Sequence, residues 1–235
     1  MSAGDNNQTG CVLPEDTRRY YLDAMGVQLW QPLEQPLDEV DTAVPDDSRM
    51  SWQQLEQAVS SCSQCELHTS RTQAVFGVGD HDADLLIIGE APGRDEDLQG
   101  EPFVGRAGQL LNAMLAAIGY QREQVYIANI LKCRPPNNRD PRPEEAGACN
   151  HWLQQQIELI QPGVILALGR IAAHNLLNTD QSLGALRARQ HSYADIPLIV
   201  TYHPAYLLRK PIDKRKSWQD LKRVKMLLTS YGRSP

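Results

Sequence analysis

LLIIGEAPGRDEDLQGEPFVGRAGQLLNAMLAAIG, residues 85–119, decides the fold. LLIIGE (85–90) is a short apolar run of the kind that makes a buried strand, and QLLNAMLAAIG (109–119) reads as an apolar helix that Gly119 ends. The same order of strand, loop and helix then repeats. VYIANIL (125–131) is a second strand, followed by a proline-rich loop and by the helix EEAGACNHWLQQQIELI (144–160), with Pro143 in its first turn. VILALG (164–169) and PLIVTYH (197–203) are further strands, IAAHNLL (171–177) is a short helix, and a last helix runs roughly from 214 to 230. Upstream, SWQQLEQAVSSC is a helix that leads into a cysteine pair. Short buried strands alternating with helices predict an α/β fold, a three-layer α/β/α domain with a short central parallel sheet. Right-handed crossovers place the loops after the strands along one edge, where such folds bind ligands.

That domain is expected to occupy residues 51–235. Residues 1–50 read as an N-terminal extension: DTRRYYLDAMGVQLW (16–30) can form a short helix capped by Asp16 or Thr17, and the proline-punctuated acidic stretch after it reads as a linker. Tyr20, Tyr21 and Trp30 motivate a protein partner for this extension. The whole chain of 235 residues carries a formal charge of -6, which by itself argues against a polyanionic partner. The distribution reverses that impression. Residues 1–61 hold 3 basic and 11 acidic side chains, whereas residues 201–235 hold 9 basic and 2 acidic. Such asymmetry points to a polyanion meeting the C-terminal face, although a solvated helix with cations near its end has the same composition. No run of about 18 apolar residues is present to span a membrane. MSAGDNNQTG lacks the basic and apolar regions of a secretory signal, so the expected compartment is the reducing cytoplasm.

Three loops leave the carboxyl ends of these strands. GEAPGRDEDLQGEPFVGRAG (89–108) has five glycines and two prolines, which permit tight turns and close approach of backbone to a ligand. A phosphate cradle is the natural competitor, but there is no G-K-[ST], and GRDED sets three acids where a phosphate would sit. The second loop runs from Asn129 through Cys133, Arg134, Asn137, Asn138, Arg139 and Arg142. An Asn at a strand end can read the edge of a nucleobase, or simply cap its loop. In the third, TYHPAYLLRK (201–210), an apolar pair stands beside Arg209 and Lys210, as in a wedge that enters a duplex while cations hold phosphates. Cys62 and Cys65 form a C-x-x-C pair joined by the distant Cys133 and Cys149. In a reducing compartment four such thiols suit a metal, either zinc or an iron–sulfur cluster. Cys11 is expected to be a bystander.

GEAPGRDEDLQGEPFVGRAG, NILKCRPPNNRDP and TYHPAYLLR together resemble the three signature segments of the family 4 uracil-DNA glycosylases, and the cysteine pattern is similar to that family's four ligands to a [4Fe-4S] cluster. The resemblance covers about residues 52–230. It implies hydrolysis of the N-glycosidic bond of a uracil flipped out of single- or double-stranded DNA, leaving an abasic site, by an enzyme expected to act as a monomer. Carried onto this chain, Glu90, Ala91 and Pro92 form a backbone wall, Phe103 stacks on the base, Asn129 reads O4 and N3–H, and His203 approaches O2. Glu96 matches the acid that helps catalysis, and Leu207 the intercalating leucine. Arg134, Arg139, Arg209 and Lys210 join Leu207 in the expected DNA-binding set, with Lys214, Arg215 and Lys216 as further phosphate contacts. Cys62, Cys65, Cys133 and Cys149 are the implied cluster ligands. A non-catalytic iron–sulfur module and a nucleotide-phosphate enzyme are the competing readings. The loop CRPPNNRDPRP has no histidine of the kind one covalent branch of these relatives uses, so ordinary turnover is expected.

Overall fold

The structure, a computed structural model, describes residues 14–26 and 50–232. Cys11, Trp30 and the linker lie outside them. Helix α1 (Glu15–Ala24) belongs to a unit separate from residues 46–235; Pro14, not Asp16 or Thr17, precedes it, and Tyr20, Tyr21 and Met25 are exposed.

The larger unit holds a six-stranded sheet: β1 (Val78–Gly79), β2 (Leu85–Gly89), β3 (Tyr126–Asn129), β4 (Val164–Leu168), β5 (His191–Tyr193) and β6 (Ile196–Thr201), in the order β1-β3-β2-β4-β6-β5. The four central strands are parallel, and the short β1 and β5 pair antiparallel at the edges. Successive residues of β2 serve opposite layers. Leu86 and Ile88 pack with Leu55 and Val59 of α2 (Trp52–Ser60) and with Trp152, Leu153 and Ile157 of α5 (Pro143–Ile160). Leu85 and Ile87 pack with Leu111, Leu115 and Ile118 of α4 (Arg106–Ile118) and with Leu221, Val224 and Leu228 of α9 (Lys214–Ser230). Helix α6 (Gly169–Leu177) joins the first layer. Because both faces are covered, the strands read as unbroken apolar runs, the expected signature of a parallel sheet. The α/β/α prediction and its principal elements therefore stand.

The differences lie in short elements that periodicity cannot reveal. The glycine-rich loop contains helix α3 (Arg94–Gln99), and α7 (Leu183–Arg187) and α8 (Pro204–Arg209) are equally brief. Helix α3 is held by a tertiary contact: the buried Asp97 accepts from the Thr72 N–H at 2.9 Å and from the Thr72 hydroxyl at 2.7 Å. One correction concerns the wedge. Leu207 lies in α8 with no exposed surface, packed in the cluster shared with α4 and α9. A side chain committed to that core is not free to enter a duplex; its neighbour Leu208 is the half-exposed leucine.

Strand β6 is tied to both α7 and α9 through Asp220. This fully buried carboxylate accepts from the Thr201 hydroxyl at 2.8 Å, Arg187 at 2.7 Å and Arg223 at 2.5 Å. Removing one partner of such a network leaves the others uncompensated. Asp220→Ala is therefore expected to lower the unfolding free energy by about 3–5 kcal/mol in urea titrations. A loss below about 1 kcal/mol would equate the network with an exposed ion pair.

Candidate active site

Strand β2 has β3 on one side and β4 on the other, so the crossovers leave the sheet's middle in opposite directions and open a crevice at its carboxyl edge. A cavity of about 460 Å³ lies there. Gly89 ends β2 in register with Asn129, the last residue of β3. A Cβ on Gly89 would stand 2.4 Å from Asn129 Oδ1 and 2.6 Å from Phe103 Cζ, so a side chain is excluded. Asn129 is 2% exposed, and its Oδ1 has no hydrogen-bond partner. An acceptor left unpaired in that state costs about 1–3 kcal/mol, so Oδ1 is placed to gain from any donor that enters the cavity.

Phe103 supplies the facing ring. Its φ of 55° is unusual for an aromatic residue, and three contacts hold it. Arg122 donates to the carbonyls of Pro102 at 2.5 Å and Phe103 at 3.4 Å. Gly108 makes room for the Phe103 carbonyl, which a Cβ there would overlap. Glu96 Oε1 accepts from the N–H groups of Val104 at 3.0 Å and Gly105 at 3.2 Å. One oxygen of the expected catalytic acid is thus engaged in positioning the loop that carries Phe103.

The Phe103 and His203 ring centroids are 5.5 Å apart at an interplanar angle of 30°. His203 caps α8: its Nδ1 accepts from the Ala205 N–H at 3.1 Å. In the neutral ring the proton therefore sits on Nε2. Burial, assisted by the nearby Arg209 charge, pushes the imidazolium pKa down to about 4. Glu90 moves the other way. Burial and the Asp140 charge, opposed by Arg170, push its carboxyl up to about 7.

Glu90, Ala91, Pro92, Glu96, Phe103, Asn129, His203, Arg139 and Arg209 all line this cavity, so the sequence-predicted pocket residues converge. Lys210 is exposed at the end of α8. Arg134 donates to Asn138 Oδ1 at 2.8 Å. Arg139 makes a bidentate pair with Glu145, at 2.8 and 2.5 Å, and thereby holds that carboxyl below its usual range. The sequence reading missed Arg122, Glu145 and Tyr206. Only Glu145 had a local signal, as an acid in the first turn of a proline-started helix.

Cys62, Cys65, Cys133 and Cys149 line one pocket on the α2–α5 side, together with Val59, Arg71, Lys132 and Trp152. All four thiols are free. Among the described residues, no group of three or more His, Cys, Asp or Glu side chains stands close enough together to hold a metal ion. Two sulfurs already receive donors: Cys133 from Arg71 at 2.9 Å, and Cys149 from the Lys132 N–H at 3.3 Å. Lys132 is itself buried; its Nζ donates to the Phe76 carbonyl at 3.1 Å and to Gln156 at 2.5 Å. Burial raises the Cys133 thiol and pushes Cys149 up to about 11, with Arg71 and Lys132 opposing. Convergent sulfurs with N–H donors and a buried cation suit a thiolate-bound metal group of net negative charge.

A model of the Uracil DNA glycosylase superfamily matches residues 76–222. A type-4 uracil-DNA glycosylase of Archaeoglobus fulgidus is 46% identical over 174 residues, covering 71% of this chain and 87% of that protein. The chain belongs to the type-4 uracil-DNA glycosylases. Another type-4 enzyme, from Thermotoga maritima, is 43% identical over 74% of this chain and 93% of its own length. A type-5 uracil-DNA glycosylase of Thermus thermophilus is 36% identical over 44% of this chain and 53% of its own.

Glu90 and His203 give the family site a pH signature. The Glu90 folded value lies above its unfolded 4.5, so its contribution to stability is full below pH 4.5 and is lost as pH rises through 7. His203, depressed from 6.5 to about 4, contributes above pH 6.5 and loses that contribution as pH falls through 4. The two slopes oppose each other between pH 4.5 and 6.5. Glu90→Gln removes the first, so the variant's unfolding free energy, relative to wild type, is expected to climb from pH 4.5 to 7. The expected slope is up to about 1.4 kcal/mol per pH unit. A difference that stays flat across that range would show that the carboxyl ionises as freely as in water.

Proposed function

We propose that the cavity receives a uracil rotated out of DNA and that the chain hydrolyses its N-glycosidic bond, releasing free uracil and leaving an abasic site. The observation that carries this reading is the unpartnered Asn129 Oδ1, in a pocket it shares with Phe103 and His203. Uracil offers what the pocket lacks. Its N3–H donates to Oδ1, its O4 accepts from the amide nitrogen, and its ring stacks on Phe103. Cytosine presents an acceptor to Oδ1 and a donor to the amide, leaving buried groups opposed, which is the costly outcome.

The C1′–N1 bond breaks with its electron pair moving to the base, which leaves an oxocarbenium-like sugar and a uracil anion. The neutral His203 donates Nε2–H to O2, where negative charge gathers, and its depressed pKa keeps it neutral at pH 7. A fixed donor in a dry pocket acts as an oxyanion hole does. Water then adds to C1′ and loses a proton. Glu96 Oε1 is tied to backbone, so Oε2 is the oxygen assigned to orient that water or to face the sugar cation. Arg209 at the cavity wall, with Lys210 and Arg134, is assigned to phosphates and Leu208 to the space the base vacates; rotating the base out costs a few kcal/mol.

The four cysteines are proposed to hold a [4Fe-4S] cluster, which would pin the loop between Cys133 and Pro143 and carry no step of the hydrolysis. Such thiols require a reducing compartment, which supports the cytoplasm. Among the described residues no helix is long and apolar enough to cross a membrane. Residues 1–50 are assigned to a basic protein surface with an apolar groove, on the strength of their acidity and the exposed Tyr20, Tyr21 and Met25.

Asn129→Leu separates function from folding. It deletes the orphan acceptor, so the melting temperature should hold or rise while uracil release from an oligonucleotide falls by at least about 100-fold. Undiminished release would overturn the base-reading role. For the remainder, the full chain and a form starting at residue 51, prepared without oxygen as monomers, should both contain roughly four irons and four sulfides and release uracil equally. Zinc in place of iron, or activity that vanishes with the extension, would overturn the corresponding assignment.

A further inference from the structure

Beyond the base pocket, the third loop carries a column of flat groups that the chemistry above leaves unused. The Arg187 guanidinium lies 4.4 Å from the centroid of the Tyr202 ring. Tyr202 in turn stacks on Tyr206, with centroids 5.0 Å apart and planes 16° from parallel. Both ends of the column are fixed. Arg187 is held by the buried Asp220 at 2.7 Å. The Tyr206 hydroxyl donates to Asp213 at 2.7 Å, and Asp213 pairs with Lys216 at 2.8 Å. Tyr206 is half-exposed and lines the cavity. One of its faces is covered by Tyr202, and no other ring contact occupies it among the described residues.

An aromatic ring held this firmly at the rim of a nucleobase pocket, among cations, is built to stack a flat apolar group. Any ordering cost is already met, because the hydroxyl and the covered face fix its plane. We propose that Tyr206 is the stacking platform for the nucleobase next to the uracil when the substrate is single-stranded. In a duplex that neighbour remains between its own base pairs; in a single strand its face is free, and every base offers one. The proposal rests on the uracil-excision reading and extends the site by one nucleotide, with the column continuing Arg187, Tyr202, Tyr206, base. Packing alone would also explain a half-buried tyrosine, but packing is indifferent to what stands beside the uracil.

The test uses single-stranded oligonucleotides with one uracil, in which the nucleotide 5′ or 3′ to it is replaced by a tetrahydrofuran residue that lacks a base. Wild type should lose about five- to 100-fold in kcat/KM for one of the two replacements. Tyr206→Phe keeps the ring and loses only the Asp213 bond, so it should keep that dependence. Tyr206→Ala should be reduced on the intact strand by a similar factor and respond to neither replacement. Should the alanine variant fail to fold, Tyr206→Leu retains apolar bulk without a π face and takes its place. Indifference of wild type to both replacements, or a full neighbour effect in the ring-less variant, would overturn the platform. Absence of uracil release by wild type from the intact strand would instead overturn the reading on which it rests.

Discussion

The lack of a side chain at Gly89 is the constraint on which the site depends. Parallel pairing of β2 and β3 sets Gly89 opposite Asn129 at the carboxyl edge of the sheet. The space a Cβ would take is filled by the Asn129 amide and the Phe103 ring. The strand that centres the sheet therefore also opens the pocket floor, and the Asn129 amide, proposed above to read the base, is placed by backbone pairing rather than by a loop. A group on a strand end is held more closely than one on a loop, which suits the proposed separation of uracil from cytosine by two hydrogen bonds.

Much of this was legible in the residues, and the reason is burial. Strands covered on both faces must be apolar throughout, so LLIIG and VILAL announced themselves, and the polar Asn129 stood out at the end of such a run. The cysteines were visible because thiols of this spacing have few other uses. What could not be read was anything decided by rotation about a short helix. Leu207 and Leu208 are chemically alike and adjacent, and only the seating of α8 against α4 sends one into the core and leaves the other at the surface. The same applies to the stacked Tyr202 and Tyr206: four residues apart, they meet because α8 begins between them with His203 as its cap. Glu96 was legible as an acid, but its two backbone donors come from a loop folded back eight and nine residues later.

Each wall of the pocket is tied into a helix layer by a different interaction. The first loop is fastened by the buried Asp97 to Thr72 and by Arg122 to the Phe103 turn. The second is fastened twice through α5, by Cys149 Sγ accepting from the Lys132 N–H and, one turn earlier, by Glu145 holding Arg139. The third is fastened by Asp220 to Thr201 and by Asp213 to Tyr206. Apart from Arg122, which donates to backbone carbonyls, the acceptor in each case is a carboxylate or thiol with little exposure. Such contacts stabilise modestly when complete and cost much when broken, so they fix geometry more than they add stability.

That division of labour follows from the reaction. The base must leave its stack, so the conformational change belongs to the DNA, and the protein gains by holding still. A donor that had to reorient toward O2 would spend in reorganisation what it gained in stabilising the anion. In the role proposed for it, His203 avoids this in two ways. Its Nδ1 is occupied by the Ala205 N–H, which leaves the proton on Nε2, and burial keeps the ring neutral. Burial makes the charged imidazolium costly, whereas the neutral ring avoids that cost and its hydrogen bond still strengthens as charge develops on an acceptor. The unpartnered Asn129 Oδ1 belongs to the same logic: under the proposed reading, the cost of an unpaired acceptor is recovered when uracil, and not cytosine, supplies the missing donor.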